Sequence, residues 1–237
     1  MKVIILAGGY GSRLGDITCT IPKPMVNIGN KPILWHIMNI YSYYDLNEFI
    51  VLLGYKGEVI QEYFAKNKEN SKWNVQLLDT GVDTLKGGRI KKTERFVKDD
   101  IALLTYGDGV ANVNIKELIK FHKSHDKILT VTGVRPPSRF GELLLEGNNV
   151  VSFEEKPQVS KGFINGGFMV FNRELFDSLE DDKNCDFEFG VLEDLAKEGQ
   201  IMCYKHSGQW ECVDTPRDIA YLNKLWENNG AFWKIWK

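Results

Sequence analysis

The hydrophobic positions change period several times along the chain. Val3-Ile4-Ile5-Leu6 marks a buried strand over 2–6, which breaks into the glycine-rich loop Gly8-Gly9-Tyr10-Gly11. Residues 31–44 take helical spacing, with Leu34, Ile37, Met38 and Tyr41 on one face. Glu48–Leu53 returns to a strand pattern, and Glu58–Phe64 spells a short helix. Val75–Leu78 and Ile101–Thr105 are further strands. Asn114–His125 is a helix with Ile115, Leu118, Ile119 and His122 as its inner stripe, and Ile128–Val134 is another strand. This alternation predicts an α/β fold with a Rossmann-like mixed, mostly parallel sheet flanked by helices. Ligands are expected at the carboxyl ends of its strands.

The second half changes character. Glu142–Glu146, the turn Gly147-Asn148-Asn149 and Val150–Glu155 predict an antiparallel hairpin, the start of a small antiparallel subregion. Phe168–Phe171 and Met202–Lys205 supply more strand, and Glu188–Lys197 is helical. Thr215-Pro216-Arg217-Asp218 is the clearest helix start: a Thr cap, proline at the first helical position and an acid three residues after the cap. That helix runs to about Asn228 and stops at Gly230. With no repeat, low-complexity tract or linker, 1–237 is expected to be a single domain.

Charge narrows the partners. Thirty basic residues against 32 acidic ones give a formal net charge of −2, with no basic stripe for nucleic acid. Cys19, Cys185, Cys203 and Cys212 show neither zinc spacing nor a disulfide framework, and the four His residues show no metal spacing. The first strand leads straight into the loop, unlike a signal peptide, and no apolar run approaches the ~20 residues that span a bilayer. The expectation is a cytoplasmic protein with no membrane or nucleic-acid partner.

Candidate chemistry begins at the loop. Glycines let backbone N–H groups approach phosphate oxygens, and Arg13 and the proline-flanked Lys23 can neutralise their charge. Neither the dinucleotide fingerprint nor the P-loop fits, since Leu14 holds the place of a third glycine and no Gly-Lys-Ser/Thr follows. Asp108, between Gly107 and Gly109 at a strand end, suits Mg²⁺ near a nucleotide; an acid in a tight turn is the alternative. Asp214 is the second metal candidate, the alternative being support of the following helix N-terminus. Glu154-Glu155-Lys156-Pro157, with Arg139-Phe140-Gly141 before it and Asn165-Gly166-Gly167 after it, suits a small phosphorylated acceptor or a solvated charge run. No Ser-His-Asp or Cys-His arrangement stands out, so these parts fit phosphoryl or nucleotidyl transfer.

In this order, Leu6-Ala7-Gly8-Gly9-Tyr10-Gly11-Ser12-Arg13-Leu14, Pro22-Lys23-Pro24-Met25, Gly107-Asp108-Gly109 and Glu155-Lys156-Pro157 resemble the sugar-phosphate nucleotidyltransferase family. Lys31-Pro32-Ile33-Leu34-Trp35-His36-Ile37-Met38, Gly54-Tyr55-Lys56-Gly57, Asp79-Thr80-Gly81, Ile164-Asn165-Gly166-Gly167-Phe168 and the Trp-rich tail bring the resemblance nearer to its glucose-1-phosphate cytidylyltransferases. The resemblance covers essentially the whole chain. It implies that Leu6, Ala7, Gly8, Gly9, Gly11, Ser12 and Arg13 bind the nucleotide CTP, with Gly8, Gly9, Gly11 and Ser12 cradling its triphosphate, Arg13 holding the leaving pyrophosphate and Lys23 neutralising charge at the α-phosphate. It further implies that Thr80, Gly81 and Gly88 lie near base and ribose, and that Asp108 and Asp214 bind Mg²⁺. Gly141, Glu155, Lys156 and Asn165 would face the acceptor.

Two departures stand out. The gap between the helix ending Glu62–Phe64 and the Asp79-Thr80-Gly81 strand is crossed by 65–78 alone, without the insertion of the glucose-1-phosphate enzymes. Asp186-Phe187-Glu188-Phe189-Gly190 replaces their Trp-Glu-Gln-Glu-Pro. Both regions lie on the acceptor or subunit-contact side, which leaves the acceptor open between a sugar 1-phosphate such as glucose 1-phosphate and phosphoglutamine. The latter is the acceptor of a diverged branch on the way to capsule phosphoramidate. Homo-oligomer formation is left open too. Two rivals are a glycosyltransferase, disfavoured because Asp108 is followed by Gly109-Val110 and not x-Asp, and a non-catalytic regulatory homologue, disfavoured by the presence of Arg13, Lys23, Asp108 and Asp214.

Overall fold

A computed structural model describes residues 1–67, 72–135, 142–154 and 162–236. Its centre is an eight-stranded sheet. Lys2–Leu6 lies in the middle, parallel to Glu48–Leu53 on one side and Ile101–Tyr106 on the other, and Asn74–Asp79 extends the first side in parallel. On the second side Met169–Asn172 runs antiparallel to Ile101–Tyr106 and to Leu129–Val134, which Ile201–Lys205 follows in parallel. The mostly parallel sheet is therefore present.

From Val3 onward the first strand is apolar, because both its faces are covered there. Val3, Ile5 and Ala7 enter one hydrophobic cluster with helix Ile33–Ser42, while Ile4 and Leu6 enter another with Phe171, Phe176 and Phe187. Truncating Ile4 or Ile5 to alanine removes a fully buried side chain, a loss of about 2–5 kcal/mol.

The helix expected over 31–44 is shortened to Ile33–Ser42, because Lys31–Pro32 pairs with Asn27–Ile28 as a small ladder. The helix expected over 188–197 is corrected more heavily. Phe189 and Gly190 are non-helical within the turn Phe187–Leu192, Gly190 at φ 136°, and the regular helix is Glu193–Lys197. The capped helix is Pro216–Glu227, with the Thr215–Asp218 capping box formed. The hairpin Glu142–Glu146 with Asn149–Glu154 is present, bulged between Val150 and Ser152. One helix lacks a sequence signal, Lys86–Lys91, whose Gly87 and Gly88 read as a breaker. A Cβ at Gly88 would overlap the Asp182 carbonyl and one at Gly87 would crowd Cys185, so the glycines allow close packing there.

Candidate active site

A cavity of about 610 Å³ opens at the carboxyl ends of the central strands, within the size range of small-molecule sites. Leu6, Ala7, Gly8, Gly9, Gly11, Ser12 and Arg13 line one wall, and Lys23, Asp108 and Asp214 its middle. Asn165 lies on the far wall.

Lys23 organises the middle. It sits in a short turn, Lys23–Met25, behind an extended Pro22, and its side chain is largely buried. Nζ donates to Asp108 Oδ2 and to Asp214 Oδ1, both at 2.6 Å. Arg13 Nη1 donates to the other oxygen of Asp214 at 2.7 Å, from a side chain that is 72% exposed. Burial would lower the Lys23 pKa, but Asp108 and Asp214 outweigh it and raise the ammonium above its ordinary value. For Asp214 burial acts to raise the carboxyl, and bonds to Lys23 with the charge of Arg13 outweigh that and lower it. Both groups are therefore held in their charged forms. Asp218, and not Asp214, serves the helix N-terminus by accepting from Asp214 N at 3.0 Å and Thr215 N at 2.7 Å. Burial, then the neighbouring Asp214 and Asp108, raise the Cys212 thiol, which keeps it protonated beside the carboxylates.

Beneath the loop lies an arginine that sequence reading missed. Arg89 is buried, with Nη1 donating to Leu53 O at 2.9 Å and Thr80 Oγ1 at 2.6 Å, and Nη2 to Gly8 O at 3.1 Å and Val82 O at 2.9 Å. A Cβ at Gly8 would overlap its guanidinium, whereas one at Gly9 would meet nothing within 4 Å. Gly8 is thus glycine for the sake of Arg89, and Gly9 stands open to the cavity. Of the residues expected at base and ribose, Thr80 is buried and anchors Arg89, Gly81 adopts φ 89°, and Gly88 packs on Asp182. These three are not in the cavity lining, which there comprises Val82, Asp83, Thr84, Leu85, Lys86 and Arg89. Gly141, Glu155 and Lys156 lie outside the described residues.

Residues 2–229 match the model of the nucleotidyl transferase family. The chain belongs to that family. It is a nucleotidyltransferase, and the glycosyltransferase and non-catalytic alternatives fall away. The enzyme is 46% identical to a glucose-1-phosphate cytidylyltransferase of Salmonella typhi over 258 aligned positions that cover all of both chains. Since 258 exceeds the 237 residues here, that relative carries stretches this chain lacks. A D-glycero-alpha-D-manno-heptose 1-phosphate guanylyltransferase of Aneurinibacillus thermoaerophilus is 31% identical over 81% of this chain and 84% of its own. The solved structure of HddC from Yersinia pseudotuberculosis superposes with a TM-score of 0.77, at 25% identity, covering 95% of this chain and 99% of that one.

The nucleotidyltransferase fits a divalent cation at Asp108 and Asp214. Both carboxylates approach one cationic atom, Lys23 Nζ, at 2.6 Å, so their oxygens are at most twice that distance apart. Hard oxygen ligands from one or two carboxylates are the set Mg²⁺ takes beside phosphates and water. No group of three or more His, Cys, Asp or Glu suited to a metal occurs among the described residues, so substrate and water must complete such a site. No helix among the described residues is long and apolar enough to cross a membrane.

Proposed function

We propose that the enzyme transfers CMP from CTP to a small phosphorylated acceptor, a sugar 1-phosphate such as glucose 1-phosphate, and releases pyrophosphate. The carrying observation is the Lys23 ammonium shared by Asp108 and Asp214 at the foot of the glycine loop, where cationic and anionic groups for a transferring phosphate meet. The likeness to the Salmonella cytidylyltransferase supports the choice of CTP and of a sugar phosphate.

Sheet order supports a division of the cavity. The glycine loop follows the central strand, and the 82–85 segment lies toward the Asn74–Asp79 side, which suits the nucleotide, while Lys86 reaches across to Glu188 and Tyr106. Tyr106 and Asn165 lie on the opposite side, which suits the acceptor. Mg²⁺ held by Asp108 and Asp214 would neutralise phosphate charge. Lys23 turns its ammonium from the carboxylates to the α-phosphate, and Arg13, the most exposed of the cations, holds the β- and γ-phosphates. An acceptor phosphate oxygen attacks the α-phosphorus in line, and the bond to the bridging oxygen breaks as pyrophosphate leaves with the electron pair. Four free cysteines accord with a cytoplasmic site of action.

Phosphorus NMR of the enzyme with CTP, Mg²⁺ and glucose 1-phosphate tests this. The reading predicts a new pyrophosphate diester and free pyrophosphate; unchanged CTP with both sugar 1-phosphates and phosphoglutamine would refute it.

A further inference from the structure

The cavity wall opposite the glycine loop carries a hydrogen-bond chain that the transfer step above does not use. Asn165 Nδ2 donates to the Tyr106 hydroxyl at 3.1 Å, and that hydroxyl donates to Glu188 Oε1 at 2.9 Å. Lys86 Nζ donates to the same Oε1 at 2.5 Å and stands 5.4 Å from the Tyr106 ring centroid. Asn165 Oδ1 accepts from Gly167 N at 3.0 Å, which fixes the amide and therefore the direction of the chain. Trp210 Nε1 donates to Gly166 O at 2.8 Å and steadies the same segment.

Both bonds to Glu188 fall on Oε1. Oε2 has no hydrogen-bond partner among the described residues, on a half-buried side chain that lines the cavity. An oriented acceptor atom with a free lone pair in the lining of the reacting cavity is a recognition element. We infer that Glu188 is a specificity-determining residue, its Oε2 accepting a hydrogen bond from a hydroxyl of the phosphorylated acceptor. This rests on the transfer reaction proposed above.

The charge state of the wall names the acceptor class. Lys86 already neutralises the Glu188 carboxylate, so an incoming ammonium would meet a paired anion and a cation 2.5 Å from it. A neutral hydroxyl meets no such repulsion, and the amide of Asn165 can serve a second one. A phosphorylated polyol therefore fits this wall better than a phosphorylated amino acid. Sequence reading placed Glu188 at the start of a helix and within a departure on the acceptor or subunit-contact side, with no role of its own; in the structure it lines the cavity beside the kink at Phe189 and Gly190.

The test is steady-state kinetics of the full chain with CTP and either glucose 1-phosphate or phosphoglutamine. Glu188→Gln should raise the KM for glucose 1-phosphate about tenfold while moving the KM for CTP less than about twofold. Tyr106→Phe should act in the same direction more weakly. Lys86→Met, which leaves the carboxylate unpaired, should shift kcat/KM toward phosphoglutamine relative to glucose 1-phosphate, a change that a merely structural role would not produce. Equal effects on both substrates, or no effect, in an active Glu188→Gln enzyme would overturn the inference alone, as would a wild type that prefers phosphoglutamine. Should Glu188→Gln not fold, the Tyr106→Phe and Lys86→Met results decide. A wild type that turns over neither acceptor would overturn the transfer reaction and this inference with it.

Discussion

Lys23 Nζ lies 2.6 Å from Asp214 Oδ1, although 191 residues separate them. The contact joins the proline-flanked turn after the glycine loop to the segment that enters the last long helix. Asp214→Asn weakens it and removes one proposed metal ligand. The expected result is a loss of turnover of at least about a hundredfold with CTP and Mg²⁺, with a stability loss of about 1–3 kcal/mol. Turnover and urea unfolding of the variant check both. Activity near wild type would remove Asp214 from the site.

Adjacent glycines of the loop should behave oppositely. Gly8→Ala places a methyl against the buried Arg89 guanidinium and should destabilise the fold by about 1–3 kcal/mol. Gly9→Ala meets no atom within 4 Å and should leave the melting temperature unchanged while raising the KM for CTP. Thermal unfolding and CTP titration of the two variants separate the effects.

Arg89→Met removes one donor each from the carbonyls of Gly8, Leu53 and Val82 and from the Thr80 hydroxyl, while Tyr55 N still serves Gly8 O and Thr80 still serves Leu53 O. A stability loss of about 3 kcal/mol is expected, with weaker CTP binding because the loop loses its floor. Unfolding in urea and binding of CTP by calorimetry give the two numbers. An unaltered loop and stability would contradict the role drawn for Arg89.

His36 supplies an acid-sensitive contact under the tryptophan-rich tail. Its Nε2 donates to Ile28 O at 2.9 Å and its Nδ1 accepts from Trp233 Nε1 at 3.3 Å, a neutral ring. Burial lowers its pKa to about 4 from an ordinary 6.5. The unfolded chain therefore takes up the proton first, and stability present above about pH 6.5 declines as pH falls to 4. The decline attributable to His36 is about 3 kcal/mol at most. Urea unfolding between pH 7 and 4 should show it, and His36→Gln should lose that share of the slope.

What could be seen in the sequence was local. The Thr215–Asp218 box and the first strand depend on residues a few positions apart, and both form. The glycine loop, Lys23, Asp108 and Asp214 could each be nominated by type and setting, but not their shared ion cluster, whose members stand 85 and 191 residues from Lys23. Arg89 gave one faint signal, a pair of glycines before an arginine. Its meaning depends on carbonyls supplied by three other segments. The role of Glu188 was hidden because the residues around it look helical, whereas the non-helical backbone of Phe189 and Gly190 breaks that helix.

The central claim is that this site moves CMP from CTP onto a small phosphorylated acceptor. Pyrophosphate release, measured with Mg²⁺ across CTP, UTP, dTTP, GTP and ATP against glucose 1-phosphate and phosphoglutamine, tests it most directly. The account predicts release from CTP that requires Mg²⁺ and an acceptor, greatest with glucose 1-phosphate. No release from CTP with any acceptor, or equal release from the other nucleotides, would contradict it.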